Sequence, residues 1–339
     1  MSKYTCQRCL KEFSQKSHYD KHQKNKRPCQ DNNEKIEKVI ENIINKKLIS
    51  HINNTNMLIN NMDEQESYTF ILGDCMEKLK EHNDKTIDCV ITSPPYNIGL
   101  KYNKYKDKKP RDQYLEWIYD IFVEIKRILK DDGHIFLNIG YTNIDPWIAM
   151  EVALKLKDLF VLQNKITWVK SVSIGEGDDD TYGHFKPINS NRYITPTNEE
   201  IFHFTKSGNE LINRKSIGVP YKYKCNLKER NKKINKTGEL KEDKRCKGNT
   251  WFIPYKTICN KNEKGNHPAT YPIELVEHCV KLSNKKEGFV LDPFIGSGTT
   301  LKAIKNMNEN EEGYNLYGIG IDIDDKYLQY AKEQVELDC

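Results

Sequence analysis

From Tyr68 onward the sequence predicts an α/β fold, a doubly wound and mostly parallel sheet, with a small ββα zinc finger at the N-terminus. Three observations carry this reading. Short apolar runs of strand length alternate with segments of 3.6-residue apolar period, as expected of parallel strands joined through helices. Two of those runs end in an acid, and one of the acids leads through a glycine-rich turn into a helix. Separately, Cys6, Cys9, His22 and Cys29 fall at metal-ligand spacing around Phe13 and Tyr19.

Composition sets outer limits. At 339 residues the chain can hold one large core with smaller attachments. No apolar run approaches the roughly 20 residues of a membrane span. The charged opening residues also lack the apolar centre of a signal peptide, so an intracellular protein is expected. Of ten cysteines, seven (Cys75, Cys89, Cys225, Cys246, Cys259, Cys279, Cys339) follow no spacing pattern and read as reduced thiols. A net charge of +5 is modest, so charge informs only segment by segment.

Residues 1–30 read as the finger. Two residues separate Cys6 from Cys9, twelve separate Cys9 from His22, and six more precede Cys29. So small a unit has almost no core without a metal and its two apolar residues. His18 could pair with His22, but Cys29 would then go unused, so Cys29 is taken as the fourth ligand. His18 falls with Gln15 and Lys21 on the face a finger turns towards bases. One finger spans only about three base pairs, so it would be an accessory anchor, on DNA, RNA or protein. Residues 31–67 form a polar linker in which Ile36, Val39, Ile40, Ile43, Ile44 and Leu48 recur at helical spacing. The pattern is too brief for a coiled coil.

The sheet begins with residues 68–72, which end at Gly73-Asp74. A second run, residues 87–91, leads into Thr92-Ser93-Pro94-Pro95-Tyr96. Tyr114, Leu115, Trp117, Ile118, Ile121, Phe122, Ile125, Ile128 and Leu129 keep helical period, with Asp131-Asp132-Gly133 as the expected stop, and residues 134–139 form the next strand. Residues 163–170 and 199–204 look like a closing hairpin. Near the C-terminus residues 288–292 run into Pro293-Phe294-Ile295-Gly296-Ser297-Gly298-Thr299-Thr300, and residues 317–322 end in Asp322. Glycines there permit close backbone approach to a ligand, a helix N-terminus follows, and a strand-end acid can accept from ribose hydroxyls. The ligand expected is a nucleoside.

Together, SPPY and DPFIGSGTT, in that order, resemble the amino-group DNA methyltransferases that use S-adenosylmethionine, in the permuted arrangement with the catalytic motif first. The resemblance spans residues 68–335 and implies a Rossmann-like methyltransferase fold. It assigns Asp74 to the adenine end of the cofactor and Asp322 to the ribose, with Asp292, Phe294, Gly296, Gly298 and Thr299 lining the rest. HPATYP resembles the family's helix-opening motif beside the methionine moiety, which adds His267, Pro268, Thr270, Tyr271 and Pro272. Pro272 suits the first helical position.

The chemistry explains the catalytic motif. An exocyclic amine is a poor nucleophile because its lone pair is delocalised into the ring. Acceptors for its two hydrogens free that lone pair, and the reading assigns this to Ser93 Oγ and the Pro94 carbonyl. Pro94 and Pro95 hold the backbone rigid, while Tyr96 offers a face on which a flipped base stacks. Serine before Pro-Pro-Tyr is commoner in the family with N4 of cytosine and aspartate with N6 of adenine, so cytosine is expected and adenine is the alternative. A carbon-directed cytosine methylase needs a thiolate, and the sole Pro-Cys, Pro28-Cys29, is assigned to zinc.

Residues 206–264 carry seventeen Lys and Arg against six Asp and Glu, a local charge of +11, and read as the insert that binds duplex DNA. Lys228, Arg230, Lys232, Lys233, Lys236 and Lys241 are expected on a loop, whereas residues 245–254 should fold against the domain. Trp168 is a candidate wall of the target-base pocket and equally a candidate half-buried strand tryptophan. RNA or protein methylation, or an inactive zinc-finger nucleic-acid-binding protein, are the competing readings.

Overall fold

A computed structural model describes residues 4–6, 9, 11–25, 67–173, 181–183, 188–221, 244–254 and 270–337. The chain divides into two units, Met1–Glu66 and Ser67–Cys339. The linker pattern between Ile36 and Leu48 and the six basic loop residues Lys228 to Lys241 lie outside the described residues.

In the first unit β1 (Tyr4–Thr5) pairs antiparallel with β2 (Glu12–Phe13), and α1 (Lys16–Gln23) follows. Tyr19 meets Phe13 edge-on at 6.1 Å, and Phe13 lies 4.9 Å from the His22 ring. That is the small apolar contact the finger reading required.

The second unit contains β3 (Tyr68–Leu72), α2 (Cys75–Lys80), β4 (Ile87–Thr92), α3 (Arg111–Ile128), β5 (Leu129–Ile139), α4 (Ile148–Lys155), β6 (Val161–Val169), β7 (Val172–Ser173) and β8 (Thr181–Tyr182). It continues with β9 (Asn198–Thr205), β10 (Val219–Pro220), β11 (Lys244–Arg245), β12 (Thr250–Phe252), α5 (Ile273–Ser283), β13 (Glu287–Asp292), α6 (Thr299–Asn310), β14 (Asn315–Asp322) and α7 (Asp325–Glu336). Eight strands form the main sheet in the order β12-β6-β9-β5-β4-β13-β14-β3. All neighbours pair in parallel except β9, which runs against both β5 and β6. β10 pairs with β11 and β7 with β8 as separate two-stranded ribbons.

Residue alternation serves two cores, which is why the strands read as continuous apolar runs. Val90 of β4 and Ile135, Leu137 and Ile139 of β5 pack with Ile118, Ile121 and Ile125 of α3. Cys89 and Ile91 of β4 and Phe136 of β5 face the opposite layer, with Val276 and Val280 of α5 and Ile304 of α6. Trp168 belongs to this second layer. It is fully buried and its indole donates to the Ile253 carbonyl at 2.9 Å, so it packs the core and does not wall a base pocket. Residues 250–252 do fold against the domain, as the edge strand β12 with Trp251 opposite Trp168.

The helix before Asp131 ends earlier than expected. α3 stops at Ile128, and β5 already pairs at Leu129, then bulges before His134 re-enters register opposite Cys89. Ion pairs hold the excursion: Lys130 to Asp88 at 2.8 Å, Asp131 to Lys85 at 2.6 Å and Asp132 to Lys285 at 2.6 Å. The Asp-Asp-Gly triplet is thus a charged bulge within a strand and not a helix stop.

Candidate active site

The carboxyl ends of parallel strands collect the chemistry at one edge, as is general for open α/β sheets. β4 ends at Thr92, where Pro94 and Pro95 remove the backbone donors a longer ladder would need. The Tyr114 hydroxyl, on α3, donates to the Pro95 carbonyl at 2.8 Å. The following turn closes on Asp107, a buried carboxylate that accepts from the backbone N–H of Asn97, Ile98, Gly99 and Leu100 at 2.7–3.2 Å. Burial raises the Asp107 pKa, and those four N–H groups oppose the rise. Asn97 sits left-handed at φ 61° and brackets Lys109 through both side-chain atoms. The segment after Tyr96 is therefore fixed from both ends.

A dense polar network surrounds Tyr96. Its hydroxyl lies 2.6 Å from Ser93 Oγ and donates to Glu199 Oε2 at 3.0 Å. Asn138, the penultimate residue of β5, donates from Nδ2 to Glu199 Oε2 at 2.7 Å and to the Tyr96 oxygen at 2.8 Å. Lys170 Nζ holds Glu199 Oε1 at 2.9 Å. Gly140 makes the convergence possible, since a Cβ there would lie 2.6 Å from the Tyr96 ring and 3.1 Å from the Glu199 carboxyl carbon.

Ser93, Pro94, Pro95 and Tyr96 share one cavity of about 300 Å³ with Asp74, Thr270, Tyr271, Phe294, Gly296, Thr299 and Asp322. Tyr105, Trp117 and Phe294 line part of it as an aromatic series, with centroids 5.5 and 5.7 Å apart. Lys109 Nζ sits 4.3 Å from the Trp117 ring, and burial lowers its pKa. Asp322 accepts from the backbone N–H of Gly296 at 3.0 Å and of Asp324 at 2.8 Å. Burial nevertheless pushes its pKa up to about 6. Asp74 caps α2 by accepting from Met76 N–H at 2.8 Å while also lining the cavity. Two acceptor carboxylates, an aromatic series and the apolar Ile323 fit a nucleoside, with sugar hydroxyls and a planar base to satisfy.

Among the described residues, three that the resemblance assigns to the cofactor do not line that cavity. Asp292 is fully buried and saturated: Oδ1 accepts from Thr92 Oγ1 at 2.7 Å and from Phe294 N–H at 3.1 Å, Oδ2 from Thr300 Oγ1 at 2.6 Å and from Tyr271 at 2.8 Å. It clips β4 to the glycine turn and to the segment before α5. Gly298 is the left-handed N-cap of α6 at φ 83°, where a Cβ would lie 2.9 Å from the Ala331 backbone. Pro272 is the N-cap of α5, one position earlier than expected. His267 and Pro268 lie outside the described residues. Asn138, Glu199, Lys109 and Trp117 were not foreseen as site residues; only their place at strand or loop ends could have suggested them.

In the N-terminal unit the candidate ligand atoms of Cys6, Cys9 and His22 lie within 4.8 Å of one another, with Cys9 Sγ 3.4 Å from His22 Nε2. A tetrahedral ion with bonds of about 2.0–2.3 Å fits such a triangle. Cys29 lies outside the described residues. Gln15, His18 and Lys21 are exposed.

The fold and this cavity suit a methylase that binds a nucleoside cofactor, and comparison with known proteins shows the family. Residues 87–333 match the model of the N6/N4 DNA methylase family. The chain is 31% identical over 268 residues to the type II methyltransferase M.BglII of Bacillus subtilis, covering 76% of this chain and 66% of that one. It is 30% identical to M.HpaI of Haemophilus parainfluenzae, covering 78% and 73% respectively. It is 25% identical to the DNA adenine methyltransferase YhdJ of Escherichia coli K12, over 80% and 84%. The fold resembles PvuII DNA methyltransferase (cytosine-N4-specific), TM-score 0.56 at 17% identity, covering 80% of this chain and 89% of that one. It also resembles a DNA modification methylase of Thermus thermophilus complexed with S-adenosyl-L-methionine, TM-score 0.51 at 21% identity, over 79% and 93%. The chain belongs to the N6/N4 family of DNA methyltransferases.

Proposed function

We propose that the protein is a site-specific methyltransferase that modifies N4 of cytosine in duplex DNA, with S-adenosylmethionine held between Asp74, Asp322 and the aromatic residues of the cavity. The observation that carries this reading is that Ser93 and Tyr96 open into the same cavity as the two acids. Bound there, the cofactor supplies an electrophilic methyl group. The chain does the rest by positioning. Ser93 Oγ and the Pro94 carbonyl accept the two amine hydrogens, Tyr96 stacks on the flipped base, and the proline pair keeps the acceptors from relaxing away. Electrostatic help for the developing charge comes from the same acceptors. Ser93, where an aspartate would suit adenine, favours cytosine.

The relative named as an adenine methyltransferase supports N6 of adenine as the second reading. Mass spectrometry of nucleosides from DNA methylated in vitro separates them: N4-methylcytosine is expected, and N6-methyladenine alone overturns the choice of base. Methyl transfer to RNA or protein but not DNA would overturn the substrate class.

For the N-terminal unit the proposal is a zinc finger ligated by Cys6, Cys9, His22 and Cys29, acting as an accessory anchor on DNA in addition to the basic segment 206–264. One equivalent of zinc in the purified protein, lost on Cys6→Ser, is expected. A metal-free protein with unchanged DNA affinity overturns it.

A further inference from the structure

Hydrogen-bond polarity around Tyr96 is decided by a residue that no motif marks, and the direction follows from counting protons. A carboxylate only accepts. Glu199 is buried, at 9% exposure, and takes three donors: Lys170 on Oε1, and Asn138 and Tyr96 on Oε2. The Tyr141 phenol also faces its charge, which helps to raise the phenol's pKa after burial and Glu200 have done so. The single Tyr96 hydroxyl hydrogen is thereby directed at Glu199. The Tyr96 oxygen must then accept across the 2.6 Å contact, so the Ser93 hydroxyl donates to it. With its hydrogen committed inward, Ser93 Oγ keeps its lone pairs as acceptors.

Asn138 reinforces the direction. Its two Nδ2 hydrogens are met by Glu199 and Tyr96, with Ser93 Oγ farther off at 3.4 Å, while a flipped amide would set Oδ1 against the carboxylate. In this orientation Asn138 Oδ1 is buried with no hydrogen-bond partner among the described residues, in a side chain at 3% exposure that lines the cavity. An unpaired buried acceptor beside Ser93 is what a site built for an N–H donor would hold in reserve.

We infer that Glu199 is a positioning residue for methyl transfer, which fixes the chain Ser93 to Tyr96 to Glu199 so that Ser93 faces the target amine as an acceptor. The same chain gives the surplus proton a destination. The amine nitrogen forms its bond to the methyl carbon as the sulfur–methyl bond breaks, leaving a neutral thioether and a positively charged amine. One amine proton passes to Ser93 Oγ, the serine proton to the Tyr96 oxygen and the tyrosine proton to Glu199, which ends as a neutral carboxylic acid and returns the proton to solvent. Charge and atoms balance without another reactant.

The inference rests on the proposed DNA amino-methyltransferase reaction, and its test separates the two. Single-turnover methylation of duplex DNA is measured against pH for the wild-type chain, Glu199→Gln, Glu199→Asp, Tyr96→Phe and the Glu199→Gln/Tyr96→Phe double variant, with cofactor and DNA affinity measured alongside. Glu199→Gln is expected to lose about 10²- to 10³-fold in rate, with both affinities within about twofold and the acid limb of the wild-type profile gone. Glu199→Asp should restore part of the rate together with the limb. Because the two residues act in one chain, the double variant should be no slower than the worse single variant. A wild-type rate in Glu199→Gln, an unchanged acid limb, or additive losses in the double variant overturns the inference alone. A wild-type chain that binds DNA but methylates none of it overturns the function and the inference together. Should Glu199→Gln fail to fold, Glu199→Asp and Tyr96→Phe carry the same comparison.

Discussion

Asp292 and Asp322 look alike in sequence and are held in different ways. Each closes an apolar strand, β13 or β14, at the same edge of the sheet. Asp292 is fully buried and takes four donors from Thr92, Phe294, Tyr271 and Thr300. Asp322 takes two backbone donors and remains open to the cavity. A strand-end acid can accept from a ligand only where its neighbours leave acceptor capacity unused. The supply of donors, which depends on residues up to 200 positions away, decides the role.

The largest effect that would separate the two is on stability. Asp292→Ala leaves the Thr92 hydroxyl without its acceptor and the Tyr271 and Thr300 hydroxyls with only each other, and should lower unfolding free energy by on the order of 3 kcal/mol, read by urea denaturation. A near-neutral result would return Asp292 to the cofactor. Asp322→Asn should leave that midpoint almost unchanged while weakening S-adenosylmethionine binding about 10- to 100-fold by calorimetry, the loss of a hydrogen bond to a charged acceptor. The raised pKa sharpens the point. Ionised Asp322 is the better acceptor for ribose hydroxyls, so affinity should fall as pH drops through about 6 in the wild-type chain and lose that step in Asp322→Asn. Asp74→Ala is the smallest change, about 1 kcal/mol of stability from the lost cap of α2 with a modest loss of cofactor affinity.

Local features were legible in the sequence. The strands beginning at Tyr68 and Ile87, the stretch of β5 from His134 to Ile139, the proline stop and the glycine turn all follow from neighbouring residues. Ser93 and Tyr96 belong to that class, because a tetrapeptide carries their geometry. Glu199 does not. In the sequence it is the first of two acids before an apolar run, and only the reversed direction of β9 brings it to the edge where the parallel strands finish. Asn138 depends likewise on β5 ending beside β4, and the choice between the two readings of Trp168 turns on which face meets a second tryptophan, which a strand pattern does not say. The Asp-Asp-Gly bulge was hidden by ion pairs to Lys85 and Lys285, both distant in sequence.

The antiparallel strand also bears on how such an enzyme changes its target. β9 is laced to β5 and β6 along both edges, so Glu199 is held in register from the strand itself and not from the chain that leads into it. Residues 188–197 and the stretch beyond Thr205 can therefore vary in length and composition while the catalytic corner stays in place. On the proposed function, recognition by the basic segment and chemistry at Ser93 would meet at this fixed point of the ladder.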